Sequence, residues 1–366
     1  MTVARVCLLG YGKVARDLHR PAWQAIAREG RGRVTTICEP GEAGADLARE
    51  HFPGVAVIRG DAVEVLADID CDVVDICTPG HTHAALTLEA LQRGIATIVE
   101  KPMCHTLAEA DAIIAAAAGV PVVVGQTLRL SPPVRAFARS YEAGKLGDVR
   151  RLRIVHHARH ALSEGEWVTK VRADGILFEN AIHAIDLAYM MMGSTERFEI
   201  DAAKFYETRH RRVLLGLELL ASDSHGRSLS LDFLQDSLTH SSFQSNVFVS
   251  GTAADAELHF SPSGFRILSG VVDPVSGIKA EAARLLSVGW DVARPARRSE
   301  RHRLLFDELL DARDDGRQTT ISPMAVRNTI ATLEELSGLW NTSTPRPTRH
   351  PTSTTMGAAG PRTRFP

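Results

Sequence analysis

The first 126 residues alternate short apolar runs with stretches long enough to make a helix. "RVCLLG" leads into Ala15 to Glu29, "RVTTICE" into Gly41 to His51, and "VAVIRG" is followed by the run Asp72 to Pro79; then come His83 to Arg93, "IATIVEKP", Thr106 to Ala118 and "VPVVVGQ". A strand with one wet face alternates polar and apolar residues. These runs do not, so both faces of their sheet must be covered. Crossovers of about 10 to 15 residues fit a parallel sheet. A doubly wound α/β domain is expected over residues 1–126.

Beyond a connecting helix around Pro132 to Ala143, the turn-like "GKLGDV" opens different material. "RRLRIVHHARHAL", "FEIDAAKFYE", "RVLLGLELLAS", "SLSLDFLQ", "SNVFVSG" and "AELHFSPSGFRIL" are strand candidates joined by short loops, which fits a large, mostly antiparallel open sheet. Two helices, Ser299 to Arg313 and Pro323 to Leu339, close this second α/β domain, 127–340, and are candidates to pack back on the first. A chain of 366 residues exceeds the size of a single core, so two domains suit it. Residues 341–366 are rich in Thr, Pro, Arg and Gly and are expected to be a disordered tail.

With 44% hydrophobic and 23% charged residues and a net charge of -2, nothing pulls the chain toward nucleic acid or an acidic membrane. The basic run "ARPARRSERHR" has no interleaved aromatics and reads as a solvated helix start. Cys7, Cys38, Cys71, Cys77 and Cys104 form no C-x-x-C pair and are odd in number, against a disulfide framework or a thiolate metal site. No run reaches the length of a membrane span and no signal peptide is visible, so a cytoplasmic, reduced protein is expected.

"VCLLGYGKVARDLHR" places Gly10, Gly12 and Ala15 in a G-x-G-x-x-A pattern between the first strand and the first helix. Gly10 permits the tight turn and Gly12 the approach of a pyrophosphate. Tyr11, Lys13 and Val14 complete the loop, and the free N–H groups at the helix start suit a phosphate. This is the fingerprint of a dinucleotide-binding Rossmann domain. Glu39, closing the second strand, would accept a hydrogen bond from the ribose 2′-OH and repel a 2′-phosphate, favouring NAD over NADP.

The glycine loop, Glu39, "CTPGHTH", "EKP", "GQTLRLSPPVRAF", the "GKLGDV" turn and "GILFENAIHAIDLAYMMMG" occur in one order from residue 3 to about 340. In this the chain resembles the glucose-fructose oxidoreductase / inositol dehydrogenase / rhizopine-catabolism (Gfo/Idh/MocA) family. The resemblance implies an active site between the domains and NAD(P)-dependent chemistry on sugars, cyclitols and related polyols. It also implies a homodimer or homotetramer built through the second sheet. By the same resemblance Thr78, Pro79 and His83 lie beside the nicotinamide ribose, Glu100 faces the cofactor, Lys101 points at the reacting oxygen, and the Lys101–Pro102 peptide is cis.

Glu179, His183 and Asp186 stand at i, i+4 and i+7 and share one stripe of an otherwise apolar helix. A histidine with a carboxylate one turn away can take a hydroxyl proton, so His183 is the candidate base with Glu179 orienting it. The family's inositol branch has Asp where this chain has Glu179, so Glu179 either orients His183 or binds substrate itself. Asp186 is expected to be structural. On "RIVHHARHAL", His156 and His160 share one strand face and His157 the other. No Cys or carboxylate cluster accompanies them, and hydride transfer requires no metal, so none is expected. His157, Arg129 and Trp167 are the candidate substrate contacts; Arg129 could equally pair with a carboxylate in the interdomain hinge.

The reading is therefore an NAD-dependent oxidoreductase interconverting a secondary alcohol and a ketone on a sugar, cyclitol or glycosylated small molecule. An NAD-dependent glycosidase and a non-catalytic sensor of NAD or sugar are the alternatives. The partner is a small molecule, with no nucleic acid and no membrane.

Overall fold

The computed structural model describes residues 2–158, 172–193, 195–207, 213–235, 244–260, 263–268 and 296–343. The apolar runs of the first third become β1 (Ala4–Leu9), β2 (Gly32–Cys38), β3 (Ala56–Ile58), β4 (Val73–Ile76), β5 (Ala96–Val99) and β6 (Val122–Val124). They form one parallel sheet in the order β3-β2-β1-β4-β5-β6, which reverses direction between β1 and β4. All residues of β4, β5 and β6 are buried, as strands covered on both faces must be.

The helices between them are α1 (Arg20–Arg28), α2 (Glu42–His51), α3 (Ala62–Asp68), α4 (His83–Gln92) and α5 (Leu107–Ala116). A π-helical turn, Ala15–His19, joins the glycine loop to α1. A capping box sets the start of α5, with Thr106 accepting from Glu109 N and Glu109 reaching back. The sequence reading placed no helix between β3 and β4. Here α3 spans only seven residues, too short for a periodic signal, and is started by Asp61 accepting from Val63 N and Glu64 N.

After α6 (Pro132–Glu142) the chain enters β7 (Val149–Ala158), then a second π-helical turn (Leu177–Ala181) and α7 (Ile182–Met192). β8 (Glu199–Glu207), β9 (Leu214–Ser222), β10 (Ser228–Gln235), β11 (Gln244–Gly251), β12 (Asp255–Phe260) and β13 (Ser263–Leu268) join β7 in the order β13-β12-β11-β7-β10-β9-β8. Every neighbouring pair is antiparallel except β7 with β10. "AELHFSPSGFRIL" thus separates into two strands of a hairpin. One face of the sheet carries the core residues Leu152, Ile154, Leu217, Leu219, Leu229, Leu231, Val247 and Val249.

α8 (Ala296–Asp315) and α9 (Pro323–Thr342) return to the parallel sheet. Trp23 of α1 stacks on Phe306 of α8 at 4.7 Å, and Arg31 pairs with Asp307 at 2.6 Å. Val124 N donates to Ile321 O at 2.9 Å, so the segment entering α9 covers the exposed edge of β6. α9 runs two residues into the segment expected to be a tail; residues 344–366 lie outside the described residues.

Candidate active site

The glycine loop crosses the C-terminal ends of β1 and β4, at the point where strand order reverses, which is where doubly wound sheets bind ligands. Gly10 has φ +85°, and a Cβ there would meet Cys77 O at 2.8 Å; at Gly12 a Cβ would meet nothing within 4 Å. The loop is thus pressed against β4 on one side and clear on the other, with the first N–H groups of the helix at Lys13 and Val14 beside the cleared space. These residues fit a dinucleotide pyrophosphate.

Tyr11 lies inside the loop rather than on its open side. Its ring is buried with the hydroxyl 2.9 Å from His51 Nδ1, and its N–H donates to Glu39 Oε2 at 2.7 Å, so it shapes the loop and offers a ligand no donor. Glu39 Oε1 also accepts from Gly41 N at 2.8 Å. The carboxylate at the end of β2 is therefore fixed against the loop, where a ribose hydroxyl can still reach its remaining lone pairs.

At the end of β4, Thr78 and Pro79 enter a short 3-10 turn, with the Thr82 hydroxyl 2.7 Å from Thr78 Oγ1 and 2.8 Å from Pro79 O. His83 was expected beside the cofactor but is 1% exposed. Its Nδ1 lies 2.7 Å from Pro102 O and its Nε2 2.8 Å from Thr78 O, so the ring ties the two loop ends together. Burial lowers its pKa from the usual histidine value, while the two carbonyls act to raise it.

The Lys101–Pro102 peptide is cis. Lys101 Nζ lies 2.7 Å from Glu179 Oε2 and 3.1 Å from Glu179 O, with the two side chains 18% and 12% exposed. A Cβ on Gly80 would meet Pro102 at 3.1 Å and Glu179 Oε1 at 3.5 Å, so three segments converge here on a residue with no side chain. Gly80 was missed in the sequence reading, though it stands inside "CTPGHTH".

Glu100 does not face the cleft. It is 7% exposed, with Oε1 3.0 Å from His19 Nε2 and 3.4 Å from His302 Nε2. A buried carboxylate needs counter-charge or hydrogen bonds, and His19, whose pKa is raised, supplies both from the interior.

The stripe Glu179, His183 and Asp186 also divides. Glu179 sits in the π-helical turn and turns to Lys101 instead of orienting His183. Asp186, 1% exposed, takes both prongs of Arg129, at 2.7 Å from Nε and 2.6 Å from Nη2. Arg129 Nη2 also donates to Ala325 O at 3.0 Å. Its Nε and Nη2 are thus engaged in an ion pair with a buried carboxylate, the carboxylate pairing that the sequence left open for Arg129.

His183 is the member close enough to Lys101 for that ammonium to act on it. Its Nδ1 is buried and hydrogen-bonds to no described residue. Burial, and then the nearby Lys101 ammonium, push its pKa down to about 3, so the ring is neutral at ordinary pH. On β7 the alternation favours His156 over His157. His156 shares the core face with Leu152 and Ile154, stacks on Phe233 at 5.4 Å, and lies 3.1 Å from Ser245 Oγ. His157 is on the opposite face, its Nε2 2.9 Å from Asp232 Oδ1. His160 and Trp167 lie outside the described residues.

Residues 4–127 match the model of an oxidoreductase family with an NAD-binding Rossmann fold, and residues 134–232 match a GFO/IDH/MocA C-terminal domain. The chain belongs to the Gfo/Idh/MocA family. Among relatives in the family, a D-apiose dehydrogenase of Paraburkholderia graminis is 30% identical over 192 residues, 52% of this chain and 50% of that one. A scyllo-inositol 2-dehydrogenase (NAD(+)) of Bacillus subtilis is 26% identical over 73% of this chain and 71% of that one. The chain spans about half the length of the first curated relatives it matches. In fold it is similar to an oxidoreductase from Agrobacterium radiobacter solved with NAD+, L-tartaric acid and magnesium, with a TM-score of 0.70, 19% identity, and coverage of 92% of this chain and 97% of that one.

Proposed function

We propose that this member of the family is an NAD-dependent oxidoreductase interconverting a secondary alcohol and a ketone on a sugar, cyclitol or glycosylated small molecule. The observation that carries it is the Lys101–Glu179 ion pair just past the end of β5, with His183 one helical turn beyond Glu179 and its buried Nδ1 hydrogen-bonded to no described residue. The relatives named for apiose and scyllo-inositol support the substrate class. The family's NAD-binding domain and the position of Glu39 support NAD.

NAD, when bound, supplies the hydride acceptor. An ammonium has three donors; Glu179 O and Oε2 engage two, and Lys101 directs the third at the carbinol oxygen, favouring the charge that grows there. His183 Nδ1 takes the hydroxyl proton, and in the reverse direction returns it to the ketone oxygen. Glu179 holds the ammonium in place and offsets charge in the closed site. Its extra methylene relative to Asp lets it reach Lys101 from the π-helical turn.

Residues 1–126 and 127–340 are the two working units of this reading, with a homodimer or homotetramer formed through the open sheet. No helix among the described residues is long and apolar enough to cross a membrane, which fits a cytoplasmic enzyme. The test is NADH fluorescence on mixing the protein and NAD with polyols, aminocyclitols and glycosides. Substrate-dependent NADH formation is expected, and none across the panel contradicts the reading.

A further inference from the structure

Beneath the Lys101 turn, four ionisable side chains from separate parts of the chain meet in the interior. His19 ends the π-helical turn, Asp75 lies in β4, Glu100 follows β5, and His302 is on α8. They are 0%, 0%, 7% and 4% exposed. Two carboxylates at that depth are costly unless paired and hydrogen-bonded.

His19 provides the pairing. Its Nδ1 is 3.0 Å from both Asp75 oxygens and its Nε2 is 3.0 Å from Glu100 Oε1. Two ring nitrogens that both face carboxylate oxygens both need protons, so the ring is an imidazolium. Burial opposes that charge, but Asp75 raises the His19 pKa well above the usual value; likewise burial opposes the Glu100 charge, but His19 holds that carboxyl well below its usual range. Cys77 Sγ lies 3.1 Å from His19 Nδ1, and Trp23 Nε1 donates to Asp75 Oδ2 at 2.7 Å. The groups facing His19 are thus Asp75 and Cys77 from β4 and its end, Glu100 from the end of β5, and His302 from α8, whose ring lies 4.9 Å from that of His19 and whose Nε2 also reaches Glu100.

The second Glu100 oxygen leaves this cluster. Oε2 accepts from Lys101 N at 3.0 Å. A Cβ on Gly125 would come within 3.0 Å of the Glu100 carboxyl, so the neighbouring strand end is bare where the carboxylate lies. Contacts therefore run from Asp75 through His19 and Glu100 to the backbone of the residue whose Nζ reaches Glu179.

We infer that His19 is a positioning residue for Lys101: its imidazolium fixes the Glu100 carboxylate, which fixes the backbone from which Lys101 reaches the reacting oxygen. This rests on the reading of Lys101 given above. A histidine that only filled the core would stabilise the fold equally with or without the Glu100 charge.

The full chain is compared as wild type, His19→Gln, Glu100→Gln and the double variant, unmodified for the kinetics and, in a separate sample of each, reductively methylated with 13C-formaldehyde for the spectra. The Lys101 methyl signal is assigned by its loss in Lys101→Arg. His19→Gln is expected to move that signal and to lower kcat at least about fivefold with KM within about twofold, whereas added to Glu100→Gln it changes neither. The inference is overturned if His19→Gln leaves signal and kcat at wild type, or shifts them equally in both backgrounds. Where His19→Gln does not fold, Glu100→Gln alone decides: a Lys101 signal moved from its wild-type position supports the role and an unmoved signal refutes it. The spectra need no substrate, so failure to find an oxidisable alcohol counts against the proposed function while His19 is still tested.

Discussion

Lys101 Nζ sits 2.7 Å from Glu179 Oε2, so the ammonium offered by the end of the parallel sheet is held by the segment that leads into α7. Glu179→Gln keeps the size and removes the charge. It is expected to lower kcat by about 10- to 100-fold, with NADH affinity, measured by fluorescence titration, changed less than about twofold. A KM effect with kcat unchanged would make Glu179 a binding residue only.

The Arg129–Asp186 pair carries a structural prediction. Asp186 is buried and its contacts with Arg129 are bidentate, so Arg129→Leu leaves an uncompensated buried carboxylate and should cost about 3 to 5 kcal/mol in urea unfolding. Arg129→Leu with Asp186→Leu should recover much of that loss. A single variant as stable as wild type would return Arg129 to the list of substrate contacts.

Acid should destabilise the fold through its histidines. Burial is the first cause in each: His183 is pushed down to about 3, and His156 and His105 to about 4. In the unfolded chain each titrates near about 6.5, so below that pH the unfolded state binds protons that the folded state refuses, and stability falls. The Glu100 and Asp174 carboxyls, both lowered, contribute stability that is lost only as pH falls through their unfolded values near about 4 and below. His19 acts oppositely: its raised pKa gives stability that is full below about 6.5 and lost as pH rises through the folded value. Melting temperature across pH 5 to 10 should therefore peak near neutrality, and a flat profile from pH 7 to 5 would contradict the burial of neutral histidines.

Glu39 should decide between cofactors. With its carboxylate fixed against Tyr11 N and Gly41 N, Glu39→Ala is expected to weaken NADH binding about tenfold and to narrow its preference over NADPH, both read by calorimetry. An unchanged preference would leave the carboxylate only the task of shaping the loop.

Much of this was legible in the residues. Strands without alternation gave the parallel sheet, and the spacing of Gly10, Gly12 and Ala15 gave the loop, because burial on both faces and a tight turn leave a direct mark on composition. Helix α3 left too short a pattern to read. The side-chain pairings were hidden because periodicity gives a face and not a partner: Glu179, His183 and Asp186 share a stripe yet go to Lys101, to the site and to Arg129. One signal for the buried cluster was available. Asp75 is a carboxylate in the middle of "VVDI", where a strand covered on both faces requires a cation nearby.

The most direct test of the account is Lys101→Ala, compared with wild type on the best alcohol of the panel, with NADH affinity measured in parallel. The account predicts a fall in kcat of roughly 10³-fold or more with NADH binding nearly intact. Full activity in Lys101→Ala, or substrate hydrolysis without net NADH in the wild type, would contradict it.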